Sequence, residues 1–234
     1  ENEGDVEVIV STYKDNKYLS ADQIKEIDTL KPKDPEDCAT YALGQYPKRG
    51  DLIYTNWDII DEYPDGIYEE VYGMDVGWQP DPSTAVKIGR RDDHLYLDIT
   101  FYDTSLSNDD IDEKLSGNGV KKWHDEIYAD NNEPKSIDDL YLKGWNIYPV
   151  IKGPGSVNYG IKKVKQYHLH ITRRSKKLIE EIKSYKWQRD KNGNLLTKPA
   201  GRKKHVLDAM RYGTVMAFSE VEIGSSTLAH GSLN

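Results

Sequence analysis

The stretch "TAVKIGRRDDHLYLDITFYD", residues 84–103, constrains the fold most. Apolar and polar residues alternate through "HLYLDITFY", the period of a strand with one covered face, and "RRDD" supplies a polar turn, so the segment reads as a β-hairpin. "EEVYGMDVG", residues 69–77, reads as a strand just before it. Beyond the hairpin the pattern changes to helix and strand in turn. "NDDIDEKLSGNGV" is a helix with acids at its start, and "EIYAD" is a short strand ending in Asp130. "SIDDLYLKG" is a helix capped by Ser136 and closed by Gly144. "NIYPVIK" is a strand, "SVNYGIKKVKQY" a helix, "HLHIT" a strand and "SKKLIEEIKSY" a helix. "YKWQRDKNGNLLTKP" is a second hairpin around Asn192-Gly193, and "KKHVLDAMRYGTVMAFSE" is the last helix. Strands first, then helix alternating with strand, imply an α/β fold: a mixed central sheet flanked by helices, with a basic hairpin before the final helix.

Residues 1–66 are less regular. "VEVIVSTY" and "DLIYTNW" are strand-like, "SADQIKEIDTL" is a helix with Ser20 and Gln23 spaced as a capping box, and a further helix is expected after Pro35. The division expected is a linker region over 1–66, a main domain over 67–220 and a loose tail over 221–234. One cysteine, Cys38, excludes an internal disulfide framework and suits a reducing compartment. No apolar run approaches the roughly 20 residues that span a bilayer, and no signal peptide opens the chain. The start at "ENEGDVEVIV", without Met, reads as part of a longer polypeptide.

A formal net charge of -8 argues against a polyanionic partner, but its distribution argues the other way. Residues 143–204 hold 17 Lys or Arg against 3 acids, a net +14, leaving 15 basic and 37 acidic residues elsewhere, a net -22. Such asymmetry suits a polyanion bound to the basic part; two oppositely charged halves of a solvated surface are the alternative.

Three acids share a setting. Asp75 ends the first strand of the main domain, Asp130 ends "EIYAD", and Asp208 lies in the last helix three residues after His205, on the same helix face. Neighbouring strand ends lie about 5 Å apart. Carboxylates so close repel unless protonated or bridged by a cation, and an oxygen-rich set suits Mg²⁺ or Mn²⁺ rather than zinc.

"GMDVGWQPDPSTA", "YADNNEPKSIDDL" and "KKHVLDAMRYG" together resemble the nuclease domain of the large terminase subunit of tailed bacteriophages, in motif order and spacing. "STYKDNKYLSADQIKEI" is similar to the stretch joining that family's ATPase domain to its nuclease, and "SYKWQRDKNGN" to its basic hairpin. The resemblance implies an RNase H-like fold and a two-metal endonuclease that cuts double-stranded DNA during genome packaging. It also implies Mg²⁺ or Mn²⁺, two ions, held by Asp75, Asp130 and Asp208 with His205 close by. Asp81, on the "QPDP" turn, resembles a further acid near the metals in some members. Implied partners are the terminase small subunit and the portal protein, with no membrane, in the host cytoplasm. No G-x-x-x-x-G-K-[ST] loop is found, so the ATPase engine is not in this chain. The alternatives are a junction resolvase or transposase on the same fold, or a DNA-gripping or motor-docking module without catalysis.

For DNA, the candidates are Arg173, Arg174 and Lys176, where a strand gives way to a helix N-terminus, and Lys186 and Arg189 in the hairpin. Trp187 either touches DNA or anchors the hairpin. Glu133 reads as a loop-capping acid or a further metal ligand. His168 and His170 alternate on one face of "HLHIT", a spacing that can chelate a metal but reads first as the polar face of a strand; His94 and His124 read as surface.

Overall fold

A computed structural model describes residues 12–21, 23–24, 49–77, 80–201 and 204–219. Its strands are β1 (Trp57–Ile60), β2 (Glu69–Asp75), β3 (Pro82–Arg91), β4 (His94–Thr104), β5 (Glu126–Ala129), β6 (Asn146–Pro149), β7 (His168–Thr172), β8 (Trp187–Arg189) and β9 (Leu195–Pro199). Its α-helices are α1 (Asn108–Gly117), α2 (Pro134–Leu142), α3 (Ser156–Val164), α4 (Lys176–Ser184) and α5 (His205–Phe218). Seven strands form one sheet in the order β1-β7-β4-β3-β2-β5-β6, and β8 pairs with β9. Strand β3 is antiparallel to β2 and β4, and every other pairing in the large sheet is parallel. The carboxyl ends of β2, β5 and β6 therefore emerge on one edge, together with those of β4, β7 and β1.

The expected hairpin is β3–β4, turning at Asp92, which takes a left-handed φ of 55°. Alternation sends Leu95, Leu97, Leu169 and Ile171 to one face, where they join Val206, Leu207 and Met210 of α5 and Leu178 and Ile182 of α4. On the opposite face Met74, Ala85 and Ile127 pack against Ile111 and Leu115 of α1 and Leu140 of α2. Trp145 is fully buried there, its indole N–H donating to Asp112 at 2.8 Å.

Two glycines set how closely α5 lies on the sheet. A Cβ on Gly73 of β2 would sit 1.8 Å from the Ala209 carbonyl oxygen, and one on Gly213 of α5 would sit 3.0 Å from the Gly73 nitrogen. Only a bare backbone at both positions admits this approach.

Some expectations shift. Helix α2 begins at Pro134 with Glu133 in the N-cap position, so Ser136 lies inside the first turn and does not cap it; proline is favoured at that start because its missing N–H has no helical partner. Gly144, at φ 96°, closes the helix as expected. Within "DLIYTNW" Leu52 forms an isolated bridge to Lys186, and the strand itself begins only at the segment's last residue, Trp57. Strand β1 pairs with β7 as an edge of the main sheet although it precedes residue 67. The Ser20–Gln23 capping box is present, with reciprocal bonds of 2.9 and 3.3 Å. Residues 6–11 of the first expected strand, the helix after Pro35 and the tail at 221–234 lie outside the described residues. No described helix is long and apolar enough to cross a membrane.

Candidate active site at the carboxyl ends of the central strands

Asp75 is the last residue of β2 and follows four buried ones. Its parallel neighbour β5 pairs Ala129 with Met74, and the Asp130 N–H donates to the Met74 carbonyl at 3.1 Å. Parallel pairing thus delivers the two acids side by side. The close seat of α5 on Gly73 brings in its first turn. His205 Nδ1 meets Asp75 Oδ2 at 2.7 Å, and His205 Nε2 lies 3.9 Å from Asp81 Oδ1. Asp208 follows one turn later. The start of α5 is held by Glu181, whose Oε2 accepts from the N–H groups of Val206 at 3.1 Å and Leu207 at 3.2 Å. A carboxylate there satisfies helix N–H groups that have no intrahelical partner. Burial nevertheless pushes the Glu181 carboxyl up to about 7.

Each acid has a cationic neighbour. Lys152 Nζ donates to Asp130 Oδ1 at 2.6 Å, the Tyr212 hydroxyl donates to its Oδ2 at 2.8 Å, and the Asn132 N–H donates to its Oδ1 at 2.9 Å. Arg211 pairs with Asp208. Burial raises the Asp75 carboxyl above its ordinary range, aided by the charges of Asp208 and Asp130 and opposed by His205. Burial acts the same way on Asp130, but the bonds from Lys152, Tyr212 and Asn132 outweigh it and hold that carboxyl low. The hydrogen bond to Asp75 raises the His205 imidazole, favouring the cation.

Asp75, Asp81, Asp130, Asp208 and His205 line one cleft of about 800 Å³. Asp75, Asp130 and Asp208 are each paired with a basic group, His205, Lys152 and Arg211 respectively. The donor set still fits a hard divalent ion: carboxylate oxygens from three separate elements, with a single imidazole. Glu133 lines the same cleft.

The basic candidates divide. Lys186 is buried at 6% exposure, and Arg189 is forked onto Asp51, so in this arrangement both fasten the β8–β9 hairpin to the domain rather than present it to a polyanion. Trp187 packs half-buried against the core, which favours the anchoring reading. Arg173 is exposed and pairs with Asp61 at 2.7 Å; Arg174 is exposed and covers buried Asp98; Lys176 is exposed. His124 is exposed beside Asp125 at 2.6 Å. The sequence reading missed Lys152, Glu181, Arg211 and Tyr212. Arg211 and Tyr212 follow Asp208 by three and four residues on one helix face, a legible signal. Lys152 has no such signal, since only the β5–β6 pairing sets it beside Asp130.

A sheet of this order, with helices on both faces and acids at the ends of its central strands, is an RNase H-like fold. The family model described as the terminase RNase H-like domain matches residues 75–215, and the chain belongs to that family. It is 26% identical over 219 residues to the PBSX phage terminase large subunit of Bacillus subtilis (strain 168), covering 89% of this chain and 50% of that protein. The chain thus spans half the length of that relative. The large terminase nuclease domain of bacteriophage SPP1 with bound Mn is similar at 25% identity and a TM-score of 0.61, over 68% of this chain and 96% of that one. The large terminase nuclease of thermophilic phage G20c with bound magnesium shares the fold at 14% identity and a TM-score of 0.53, over 72% and 98%.

Proposed function

We propose that this chain is a metal-dependent endonuclease that cuts double-stranded DNA during phage genome packaging, the nuclease part of a large terminase. The observation carrying the reading is the convergence of Asp75, Asp130, Asp208 and His205 on one cleft. The metal bound by the SPP1 relative supports it. Residues 1–66 then link this domain to an ATPase engine, 67–220 form the nuclease with β1 added at its edge, and 221–234 form a tail. Its partners are double-stranded DNA, a small subunit and a portal, in the host cytoplasm.

Asp75, Asp130 and Asp208, with Asp81 beside them, would hold two Mg²⁺ or Mn²⁺ ions. When bound, the ions supply the charge that activates the attacking water and neutralises the leaving oxygen. Lys152 and Arg211 pair with Asp130 and Asp208 in this structure and are cations within reach of the same cleft. With Nδ1 fixed on Asp75, His205 presents Nε2 to the cleft, the atom placed to orient water or to hand a proton to the leaving oxygen. Arg173, Arg174 and Lys176 hold the phosphate backbone without reading bases.

Cleavage of supercoiled plasmid with Mn²⁺, with Mg²⁺ and with chelator tests this. Wild-type chain is expected to cut only with metal, and Asp75→Asn not at all. Metal-independent cutting, or cutting by Asp75→Asn at the wild-type rate, overturns it.

A further inference from the structure

The other end of the sheet carries a second group of metal-capable side chains. Asp58 of β1 is the register partner of His170 of β7, and His94 of β4 is that of His168. These side chains alternate with the Leu95, Leu97, Leu169 and Ile171 set, so they lie on the face opposite α5. His168 Nε2 meets Asp58 Oδ2 at 3.0 Å and His170 Nδ1 meets Asp58 Oδ1 at 2.8 Å. One ligand atom from each of Asp58, His168 and His170 lies within 4.8 Å of the others. A tetrahedral centre with bonds of about 2.0–2.1 Å spaces its ligand atoms by about 3.4 Å, a small adjustment from this arrangement.

A second observation concerns the far side of a ligand imidazole, whose other nitrogen ordinarily donates to a fixed partner. His170 Nε2 lies 2.8 Å from His94 Nδ1, and His94 Nε2 lies 3.3 Å from Asp93 Oδ1. If Nδ1 of His170 binds a cation, its Nε2–H donates to His94, and His94 Nε2–H donates in turn to Asp93. The relay leaves each of these nitrogens with a partner and fixes one tautomer. The rings are already aligned: the planes of His94 and His170 differ by only 13° with centroids 5.1 Å apart, and the Tyr96 ring lies 4.8 Å from that of His170.

We infer that Asp58, His168 and His170 form a binding site for a divalent transition metal, zinc foremost, with His94 as the positioning residue. Two imidazoles and one carboxylate suit zinc and leave a fourth position for water, whereas Mg²⁺ demands oxygen. Its role is structural. The ion ties β1, an edge strand of the sheet, to β7. The inference stands apart from the nuclease reading, since none of these residues lines the cleft.

The test uses the full chain stripped of metal by chelator and held in excess Mg²⁺, which favours the oxygen-rich cleft. Co²⁺ is titrated and visible absorption and melting temperature are followed. About one equivalent of Co²⁺ is expected to give a ligand-field band and raise the melting temperature, and Zn²⁺ to displace it. His170→Ala and Asp58→Ala lose the band, while His94→Ala binds about 10–100-fold more weakly. His124→Ala binds as wild type. Asp58 sits half-exposed on an edge strand, so its variant folds even if His170→Ala does not. No band in wild-type chain, or equal Co²⁺ affinity in Asp58→Ala, reduces the group to a hydrogen-bonded cluster and overturns the inference.

Discussion

The two ends of the sheet make opposite use of the same pattern. At the carboxyl ends of β2 and β5, the side chains that converge are carboxylates, buried at Asp75 and Asp130 and partly exposed at Asp208, and each is tied to a separate basic group: Asp130 to Lys152, Asp208 to Arg211, Asp75 to His205. At the amino ends of β4 and β7 they are imidazoles sharing one half-exposed carboxylate. Asp75 is level with Thr84 and so with Tyr102, eight residues along β4 from His94, which places the two groups about 27 Å apart along the strands. The cleft end gathers like charges at partly buried positions, which costs free energy and leaves a site that an added cation can satisfy. The histidine end gathers imidazoles around one carboxylate, and their hydrogen bonds satisfy one another. Oxygen donors dominate one end and imidazole nitrogens the other, donor sets that suit different metals.

The sharpest way to break the comparison is catalysis. Asp75→Asn is expected to abolish detectable plasmid cleavage, a loss on the order of a thousandfold or more, while His170→Ala cuts within about twofold of wild type. Equal losses would merge the two ends into one functional unit. The next effect is on stability. Gly73→Ala drives a methyl group into the Ala209 carbonyl and should cost about 3 kcal/mol or more in chemical denaturation, with activity lost because His205 and Asp208 ride on the displaced helix. A stable, active Gly73→Ala protein would show that α5 positions nothing.

The third effect is pH dependence. Glu181 is buried, and its carboxyl rises from 4.5 to about 7 in the fold, so the folded chain holds this proton more tightly than the unfolded one. Its contribution is therefore full below pH 4.5 and is lost as pH rises through 7, by about 3 kcal/mol at most. Urea unfolding at pH 5 and pH 8 measures this, and Glu181→Gln is expected to flatten the difference. The smallest effect is Arg173→Gln. Its exposed pair with Asp61 contributes about 0–1 kcal/mol, so melting should barely move, while the salt dependence of DNA binding loses about one phosphate contact. An unchanged salt slope places Arg173 off the DNA path.

Much of the fold was legible. The β3–β4 hairpin follows from period-2 alternation around a polar turn, and α4 from Leu178 and Ile182 one turn apart beside exposed lysines. β1 was misplaced by one segment, because an edge strand of intermediate and exposed residues has no buried face to write into its pattern. Ser136 looked like a cap because propensity names residue types that cap, whereas Pro134 fixes where the helix begins. Asp75, Asp130, Asp208 and His205 were legible because acids at apolar strand ends and a histidine one turn before an acid break the expected burial pattern. Gly73 and Gly213 were not singled out, since a close approach of helix to strand leaves no trace in either segment alone.

The sequence by itself determined the segments and their faces: local periodicity and turn chemistry act over a few residues and need no partner to be read. Only the tertiary structure decided which faces meet. Asp58 lies 112 residues from His170 and Lys152 lies 22 from Asp130, and both meetings follow from which strands pair in parallel and in what register. That choice is made by burial of the whole sheet between its helices, because a slip of one residue would turn every side chain of a strand to the other face. The polar groups at each end then meet as a consequence of how the apolar ones are covered.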